Sequence, residues 1–194
     1  MTSAIDIDGF EARYRSEADP WEVFSKQDEL AKCEAVIAAA KRGDTTDILE
    51  LGSGIGGHSA ALCAIAKRLD CIEATPTGVA RTRERLAGCT NAKVYQKTLP
   101  TKLPRSLYST IIISELLYYL SVPDMAEVAS SVIAALPPDG QLILAHHWAH
   151  FEDAQQDGAN IHQDFVRCTG AIEFTSELVC QTSQWRVERF AKLR

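Results

Sequence analysis

The stretch LELGSGIGGHSA, residues 49–60, places glycines at alternate positions directly behind an acidic residue. Glycine costs about 0.5–1 kcal/mol relative to alanine inside regular structure, so such a cluster indicates a turn that needs glycine's conformational freedom. The preceding residues, TDILEL (46–51), have the pattern of a short apolar strand, and HSAALCAIAKRL (58–69) has the alanine and leucine content of a buried helix. We therefore expect a strand that ends at Leu51, a tight turn, and a helix that begins near Ile55.

The rest of the chain alternates short apolar strands with helical segments. Further strands are predicted at CIEA (71–74), AKVYQ (92–96), STIIISELL (109–117) and QLILAHHW (141–148), with a terminal strand pair at TSELVCQTS (175–183) and WRVERFAKL (185–193). Helical spacing or helix end signals mark residues 8–19, 26–42, 78–88, 122–140 and a stretch near 159–169. This alternation predicts an α/β domain, with a mostly parallel sheet covered by helices on both faces.

Composition and charge limit the classes of function. The chain has 194 residues, 46% hydrophobic and 24% charged, which is ordinary for one globular domain. Its formal charge of −6 argues against nucleic acid or an anionic membrane surface as the main partner, and no run approaches the ~20 apolar residues of a membrane span. The charged N-terminus is no secretory signal, and the six scattered cysteines are typical of thiols in a reducing compartment. We therefore expect one cytoplasmic domain without nucleic-acid or membrane partners.

The glycine cluster fits two ligand-binding templates. Gly52, Gly54 and Gly57 satisfy the dinucleotide pattern G-x-G-x-x-G, whereas Gly52, Gly54 and Gly56 behind Glu50 satisfy E-x-G-x-G-x-G. A dinucleotide site directs backbone N–H groups at a pyrophosphate, so the carboxylate of Glu50 is unfavourable there. S-adenosylmethionine (SAM) has no phosphate and carries an ammonium and a sulfonium, which an acidic neighbour favours. The chain is also short for a dehydrogenase, so SAM is preferred over a nicotinamide cofactor.

Glu73 is the second predicted anchor for the cofactor. It lies in CIEATP, 21 residues after Gly52, close to the ~20-residue offset of the acidic residue that binds a ribose diol. Two adjacent hydroxyls can both donate to one carboxylate, so this position suits adenosine.

Residues 49–120 resemble a class I SAM-dependent methyltransferase, because LELGSGIG, EATP (in place of the family's D-x-S-P turn) and ISELLYYL follow in family order. FEARYRSEADPW (10–21), SELLYYL (114–120) and the HW-x-H of residues 147–150 resemble the nodulation protein S group. That group includes enzymes that N-methylate the deacetylated amino sugar end of a chitin oligosaccharide. The resemblance implies a Rossmann-like, mostly parallel seven-stranded sheet with a C-terminal antiparallel hairpin, and residues 1–194 as a single domain. Within it we expect a helical lid (1–42), a cofactor-binding half (46–120) and a substrate-side half (121–194).

The resemblance also implies the residues that bind SAM and its product S-adenosylhomocysteine (SAH). The candidates are Glu50, Gly52, Ser53, Gly54, Gly56, Glu73, Ala74, Thr98, Leu99, Ser114 and Tyr14. Two departures from the family stand out. VYQKTLP (94–100) has no carboxylate for the adenine amino group, so Thr98 or Leu99 is expected to serve, and Ser109 replaces the aspartate ahead of the fourth strand.

The candidate catalytic residues lie at the ends of the predicted fourth and fifth strands. In an extended strand His146 and His147 point to opposite faces, so only one is expected to reach the ligand crevice. We predict His147 as the base or acceptor-positioning residue, with His146 as the other candidate. Glu115 and Tyr118 are expected near the donor methyl group. A metal site is an alternative that matches no ligand signature; its residues would be His146, His147, His150, Glu152, Asp153 and His162.

We therefore predict SAM-dependent methylation of a small molecule, with an amine or amino sugar preferred from the resemblance alone. The alternatives are O-methylation or cyclisation of SAM, a SAM-binding protein without turnover, and a nicotinamide-dependent oxidoreductase. The sequence identifies neither the acceptor nor the oligomeric state.

Overall fold

A seven-stranded sheet forms the centre of the computed structural model, which describes residues 5–148, 151–170 and 174–193. The strands are β1 (Asp47–Leu51), β2 (Arg68–Glu73), β3 (Ala92–Gln96), β4 (Thr110–Ser114), β5 (Gln141–His147), β6 (Phe174–Gln181) and β7 (Trp185–Lys192). Their order is β3-β2-β1-β4-β5-β7-β6. Strands β1 to β5 pair in parallel, and β7 is antiparallel to both β5 and β6. The predicted fold class and terminal hairpin are confirmed.

Within the described residues, the chain forms six helices around the sheet. They are α1 (Ile7–Ser16), α2 (Gln27–Ala40), α3 (Ser59–Ile65), α4 (Pro76–Arg85), α5 (Val122–Ala135) and α6 (Ile161–Cys168), with short 3-10 turns at Leu117–Tyr119 and Gly158–Asn160. Thr75 caps α4 and Ser121 caps α5, each followed by a proline in the first turn. Helix α5 begins at residue 122 as predicted, whereas α4 begins two residues before the predicted 78. Within the described residues, no helix is long and apolar enough to cross a membrane.

Both faces of the sheet are buried, which explains the continuous apolar runs in its central strands. On one face, alternate residues of β1, β4 and β5 pack with α5 and α6; examples are Leu49, Ile111 and Leu142. On the other face, their neighbours Ile48 and Ile112 join the core that contains the apolar stripe of α2. The sheet is therefore held at its centre, and the carboxyl ends of β1, β2 and β4 are left to form a crevice.

The helix predicted at 58–69 is shorter than expected at both ends. Gly54 and Gly56 have left-handed φ angles of +55° and +87°, so the chain turns through residues 54–58 and Gly56 does not open the helix. At the other end, the Arg68 N–H donates to the Thr46 carbonyl and Arg68 begins β2 beside β1. Parallel strand pairing thus overrides the helical composition of the last residues of this run.

Two arginines of α4 contact the N-terminal segment and hold it against the domain. Arg81 donates to the carbonyls of Glu17 and Ala18 at 2.8 and 2.9 Å, and the Arg85 guanidinium lies 3.5 Å from the centre of the Phe24 ring. The N-terminal segment therefore packs beside the crevice, while the division into lid and two halves stays a prediction.

Candidate functional site

Two adjoining cavities lie at the carboxyl ends of β1, β2 and β4, with volumes of about 590 and 390 Å³. They meet at Gly52, Gly54 and Glu115, and three aromatic side chains line both cavities: Phe10, Tyr14 and Tyr119. Cavities of this size and position are typical of a cofactor and a small substrate bound side by side.

The larger cavity contains most of the predicted cofactor-binding residues. Glu73, Ala74, Thr98 and Leu99 line it together with the glycine turn. Sequence reasoning missed several polar residues of this lining, namely Asp6, Asp8, Lys97, Asp124 and Gln155. Three of them come from α1, its N-cap and α5, which lie far from the glycine motif in the chain.

Glu73 is fixed at the end of β2 by hydrogen bonds from its surroundings. One carboxylate oxygen, Oε2, accepts from the Gly54 N–H at 2.9 Å, and Oε1 accepts from the N–H and hydroxyl of Thr75 at 2.8 and 2.7 Å. Burial raises the pKa of Glu73, and the hydrogen bonds from Thr75 and Gly54 oppose that rise. The carboxylate is thus fixed at the edge of the larger cavity, where it can accept a hydrogen bond from a ligand hydroxyl.

The glycine turn needs glycine for both conformation and space. Gly52 and Gly54 have φ angles of +74° and +55°, a region that L side chains rarely adopt. A Cβ atom at Gly54 would lie 2.8 Å from the hydroxyl of Tyr14, and one at Gly52 would lie 3.3 Å from Leu116. The turn is thus closely overlaid by Tyr14, the lid residue predicted to contact the cofactor.

Glu50 and Gly56, also predicted to contact the cofactor, do not line either cavity. Glu50 is buried beneath the turn, where it accepts hydrogen bonds from the Ser59 hydroxyl at 2.6 Å and the Cys71 thiol at 3.3 Å. Burial raises the pKa of Glu50 to about 7. A Cβ at Gly56 would face Thr82 of α4, so this glycine serves the packing of the turn. The expected contact between Glu50 and the cations of SAM is therefore not supported by its position.

The smaller cavity brings together the predicted residues Ser53, Ser114, Glu115, Tyr118 and His147. The Nδ1 atom of His147 lies 3.0 Å from Glu115 Oε1, and the His147 N–H donates to the same oxygen at 3.2 Å. The Tyr118 hydroxyl donates to the other oxygen of Glu115, and burial raises the pKa of Tyr118 well above its usual range. His147 is thus oriented by a carboxylate, as a general base requires.

Two residues of this cavity, Lys32 and Glu29, were missed by sequence reasoning. The fully buried Lys32 ammonium lies 2.7 Å from Glu115 Oε1, 2.9 Å from Glu29 Oε2 and 3.3 Å from His147 Nδ1. Burial opposes the ionisation of Glu115, but the Lys32 ammonium and His147 outweigh it and hold the pKa of Glu115 well below its usual range. Lys32 could have been found from the sequence by its position on the apolar stripe of α2, four residues before Val36.

The prediction that His146 and His147 point to opposite faces is confirmed. His147 lines the smaller cavity, whereas His146 is buried on the other face and lies 3.0 Å from His162. His146 therefore does not reach the ligands, and its candidacy as a base is not supported by its position. His150 lies outside the described residues. Within the described residues, no group of three or more His, Cys, Asp and Glu side chains is arranged to hold a metal ion.

The cavities suit a polar cofactor with an amino acid portion. Two buried polar atoms of the smaller cavity, Ser114 Oγ and His58 Nε2, have no hydrogen-bond partner within the described residues. Buried polar atoms are normally paired, so these two are available to a ligand. Burial lowers the pKa of His58 to about 4, which leaves its ring neutral at neutral pH. In the adjoining cavity, Glu73 and the glycine turn are the residues that would hold the ribose side. The residues present therefore fit SAM.

Comparison with known proteins agrees with this geometry. The family model described as nodulation protein S (NodS) matches residues 10–156. The chain belongs to the nodulation protein S family. Nodulation protein S from Sinorhizobium fredii is 24% identical over 169 residues, which cover 79% of this chain and 77% of that protein. Nodulation protein S from Bradyrhizobium diazoefficiens is 24% identical over 146 residues, covering 71% and 70% of the two chains.

Solved structures share the fold at low identity. The N-methyltransferase NodS from Bradyrhizobium japonicum, in complex with SAH, has a TM-score of 0.80 and 17% identity and covers 97% of this chain and 98% of its own. The DhpI–SAH complex has a TM-score of 0.72 and 15% identity, covering 96% and 95% of the two chains. The recognition of a NodS-like, SAM-dependent methyltransferase with SAM as its cofactor is confirmed, and the nicotinamide alternative is overturned.

Proposed function

We propose that this NodS-family methyltransferase N-methylates a primary amine on a small polar molecule, with an amino sugar as the favoured acceptor. The observation that carries the proposal is the cluster of Glu29, Lys32, Glu115 and His147 in the smaller cavity. When bound, SAM supplies the electrophilic methyl group. The protein must therefore hold the acceptor, remove its extra proton and exclude water.

The charge of the cluster favours an acceptor that arrives as an ammonium ion. Glu29 and Glu115 carry two negative charges and Lys32 one positive charge, so the cluster has a net charge of −1 when His147 is neutral. Their side chains are largely buried, with exposed fractions of 11% for Glu29 and 28% for Glu115. Charges in such surroundings are only weakly screened by solvent. A second cation is thus attracted to this cavity.

His147 is the residue we assign to proton removal. An ammonium has no free lone pair, so it must lose a proton before it can accept a methyl group. In the tautomer that donates Nδ1–H to Glu115, the Nε2 lone pair of His147 is free to take that proton. The resulting imidazolium has a carboxylate at each nitrogen, since Glu115 Oε1 lies 3.0 Å from Nδ1 and Glu29 Oε1 lies 3.5 Å from Nε2.

Aromatic and hydrogen-bonding side chains around the same cavity support a sugar as the body of the acceptor. Trp21, Tyr119 and Phe151 present ring surfaces, while Asp153 and Gln184 present polar groups. The apolar face of a sugar ring packs against aromatic rings, and its hydroxyls need polar partners. The NodS structure compared above is named as an N-methyltransferase, which agrees with an amine as the methyl acceptor.

The test is a panel of acceptors in two matched pairs, each incubated with methyl-labelled SAM. Glucosamine and a chitin oligosaccharide with one free amine are compared with glucose and with the fully N-acetylated oligosaccharide, and mass spectrometry locates the label. We expect label on nitrogen with the free amines alone. Equal labelling of glucose would indicate O-methylation, and consumption of SAM without an acceptor would indicate a reaction of SAM on itself; either result would overturn the proposal.

A matched pair of variants links the reaction to the cluster. His147→Gln keeps a polar side chain but cannot take the proton, so we expect kcat to fall by about 10²–10⁴-fold while SAH binding persists. Glu127→Gln, at an exposed position of α5 that lines neither cavity, is the control and should leave kcat unchanged. The cytoplasmic location and the absence of nucleic-acid and membrane partners stay predictions of the sequence.

A further inference from the structure

A chain of three hydrogen-bonded side chains lies behind the cavity, on the opposite face of β5 from His147. The Nδ1 atom of His146 is 3.0 Å from Nε2 of His162, and Nδ1 of His162 is 2.6 Å from Oε2 of Glu188 on β7. His146 and His162 are buried, and Glu188 is also contacted by the Arg186 guanidinium at 3.4 Å. His146 and His162 line neither cavity, and they play no part in the proton transfer described above.

The backbone fixes the position of every ring proton in this chain. Nε2 of His146 lies 3.3 and 3.2 Å from the backbone nitrogens of Leu116 and Leu117, whose N–H groups donate to it. Burial lowers the pKa of both His146 and His162, so both rings are neutral at neutral pH. A neutral imidazole has one N–H, which in His146 must therefore be on Nδ1.

The tautomer of His162 follows from that of His146. Since His146 donates its Nδ1–H, Nε2 of His162 must accept, and the proton of His162 must be on Nδ1, where it donates to Glu188. Arg186 holds Glu188 in place and itself donates to the Ala159 carbonyl and to Gln163. Each ring nitrogen in the chain thus has a single role, Nδ1 as donor and Nε2 as acceptor. The chain begins at a fixed carboxylate and ends at two backbone N–H groups.

Those two N–H groups belong to the bend that carries Glu115, one of the four residues of the cluster. Glu115 has a φ angle of +51°, which is unusual and strained for a residue other than glycine. Leu116 and Leu117 follow it directly, and Tyr118 lies in the next turn. By accepting both N–H groups, His146 stabilises the bend in the conformation that directs Glu115 towards His147 and Lys32.

We infer that His146, His162 and Glu188 form a positioning relay that fixes the bend at residues 115–118, in which Glu115 orients the base. The consequence for catalysis rests on the proposed function, whereas the relay itself does not. The relay residues need not touch SAM or the acceptor. Removal of the acceptor nitrogen at position 146 is expected to release the bend without removing any ligand contact.

The first test measures the hydrogen bonds of the relay and does not depend on methyl transfer. Nuclear magnetic resonance of the full chain with nitrogen-15-labelled histidine distinguishes Nδ1–H from Nε2–H tautomers, and hydrogen exchange measures the protection of the Leu116 and Leu117 amides. We expect the Nδ1–H tautomer at both His146 and His162, and protected amides. An Nε2–H tautomer at His146, or rapid exchange of both amides, would overturn the relay.

The second test uses two substitutions at one position. Gln can place an oxygen where His146 places Nε2, and Leu cannot. His146→Leu is expected to expose both amides to exchange and to lower kcat by about 10²-fold, because small misplacements of reacting groups cost about that much. His146→Gln is expected to rescue most of both losses, and SAH affinity is expected to change little in either variant.

A core substitution separates positioning from general destabilisation. Phe165→Leu, at a fully buried site on α6, is expected to lower Tm without altering kcat or the protection of the two amides. If His146→Leu behaves like Phe165→Leu, the relay is only structural and the inference is wrong. If the wild type transfers no methyl group to any amine, the proposed function fails, but the tautomers and amide protection still decide the relay.

Discussion

Replacement of Lys32 by methionine removes the only cation within hydrogen-bond distance of Glu115 among the described residues and leaves its packing volume nearly unchanged. In the wild type, the Lys32 ammonium contacts Glu29 and Glu115 at 2.9 and 2.7 Å and is itself fully buried. In Lys32→Met both carboxylates stay in the cavity wall without a countercharge. The variant therefore measures how strongly the cluster depends on its buried ammonium.

The expected loss of stability is large. Removing one partner of a buried ion pair costs about 3–5 kcal/mol. The Glu115 side chain is 28% exposed, so solvent compensates part of its charge. We therefore expect a loss at the lower end of this range, about 3 kcal/mol. For a domain of this size that corresponds to a fall in Tm of about 10 °C. The effect depends on pH, because the pKa of Glu115 is depressed in the folded state. Its stabilisation is fully present above the unfolded pKa of about 4.5, and it is lost progressively as the pH falls from there towards the lower pKa of the folded state.

Urea unfolding at pH 7 and pH 4, followed by circular dichroism, measures this difference. Lys41→Met is the control, because Lys41 is exposed at the end of the same helix. We expect a loss of about 3 kcal/mol for Lys32→Met at pH 7, a smaller loss at pH 4, and almost none for Lys41→Met at either pH. Equal stability of Lys32→Met and the wild type at pH 7 would refute the role given to the ammonium.

Three further predictions concern the glycine turn and the two carboxylates beside it. Glu73→Gln removes the charge from a hydrogen-bond acceptor, so the Kd for SAH by calorimetry should rise by about 10–100-fold, whereas Glu84→Gln on the exposed face of α4 should leave it unchanged. Gly54→Ala forces a Cβ into a left-handed residue with only 2.8 Å to the nearest hydroxyl, so SAH affinity should fall by about tenfold or more; Gly88→Ala, with no neighbouring atom within 4 Å, is the control. Burial raises the pKa of Glu50 to about 7. The contribution of Glu50 to wild-type stability therefore falls as the pH rises from about 4.5 to 7. Urea unfolding should show that the stability of Glu50→Gln relative to wild type increases by about 3 kcal/mol between pH 4.5 and 8.

Each of these has an outcome that contradicts it. Unchanged SAH affinity in Glu73→Gln would remove the ribose assignment, because that assignment depends on the carboxylate charge. An affinity loss in Gly88→Ala equal to that in Gly54→Ala would show that the turn is not the sensitive element. A constant difference between Glu50→Gln and wild type across the pH range would show that Glu50 is ionised normally beneath the turn.

The fold followed from local patterns because its elements are locally consistent. The runs at 109–117 and 141–148 are apolar on both faces of a strand, which only a covered parallel sheet provides. The prediction of a helix was wrong at residues 66–69. Their composition favours a helix, but pairing with a neighbouring strand determines the structure that they adopt. Such competition depends on tertiary contacts, so sequence periodicity at that point could not resolve it.

Residue roles at motif positions were less predictable than the motif itself. Glu50 and Glu73 are both acidic residues at family spacing, yet only Glu73 lines a cavity. Glu50 lies within β1 and Glu73 ends β2, so the strand end places Glu73 at the crevice, while Glu50 is buried beneath the turn. A position within a strand rather than at its end therefore separates a structural carboxylate from one that faces the ligand.

The acceptor side of the site could not be read from any single window of sequence. Lys32 and Glu115 are separated by 83 positions, and Glu115 and His147 by 32. They meet because α2 packs on the face of the sheet to which β5 directs His147, and because the bend after β4 directs Glu115 towards the same point. A lysine on an apolar helical stripe is costly unless a carboxylate compensates it. Lys32 therefore indicates a buried anion from sequence alone, although only the fold shows that the anion is Glu115.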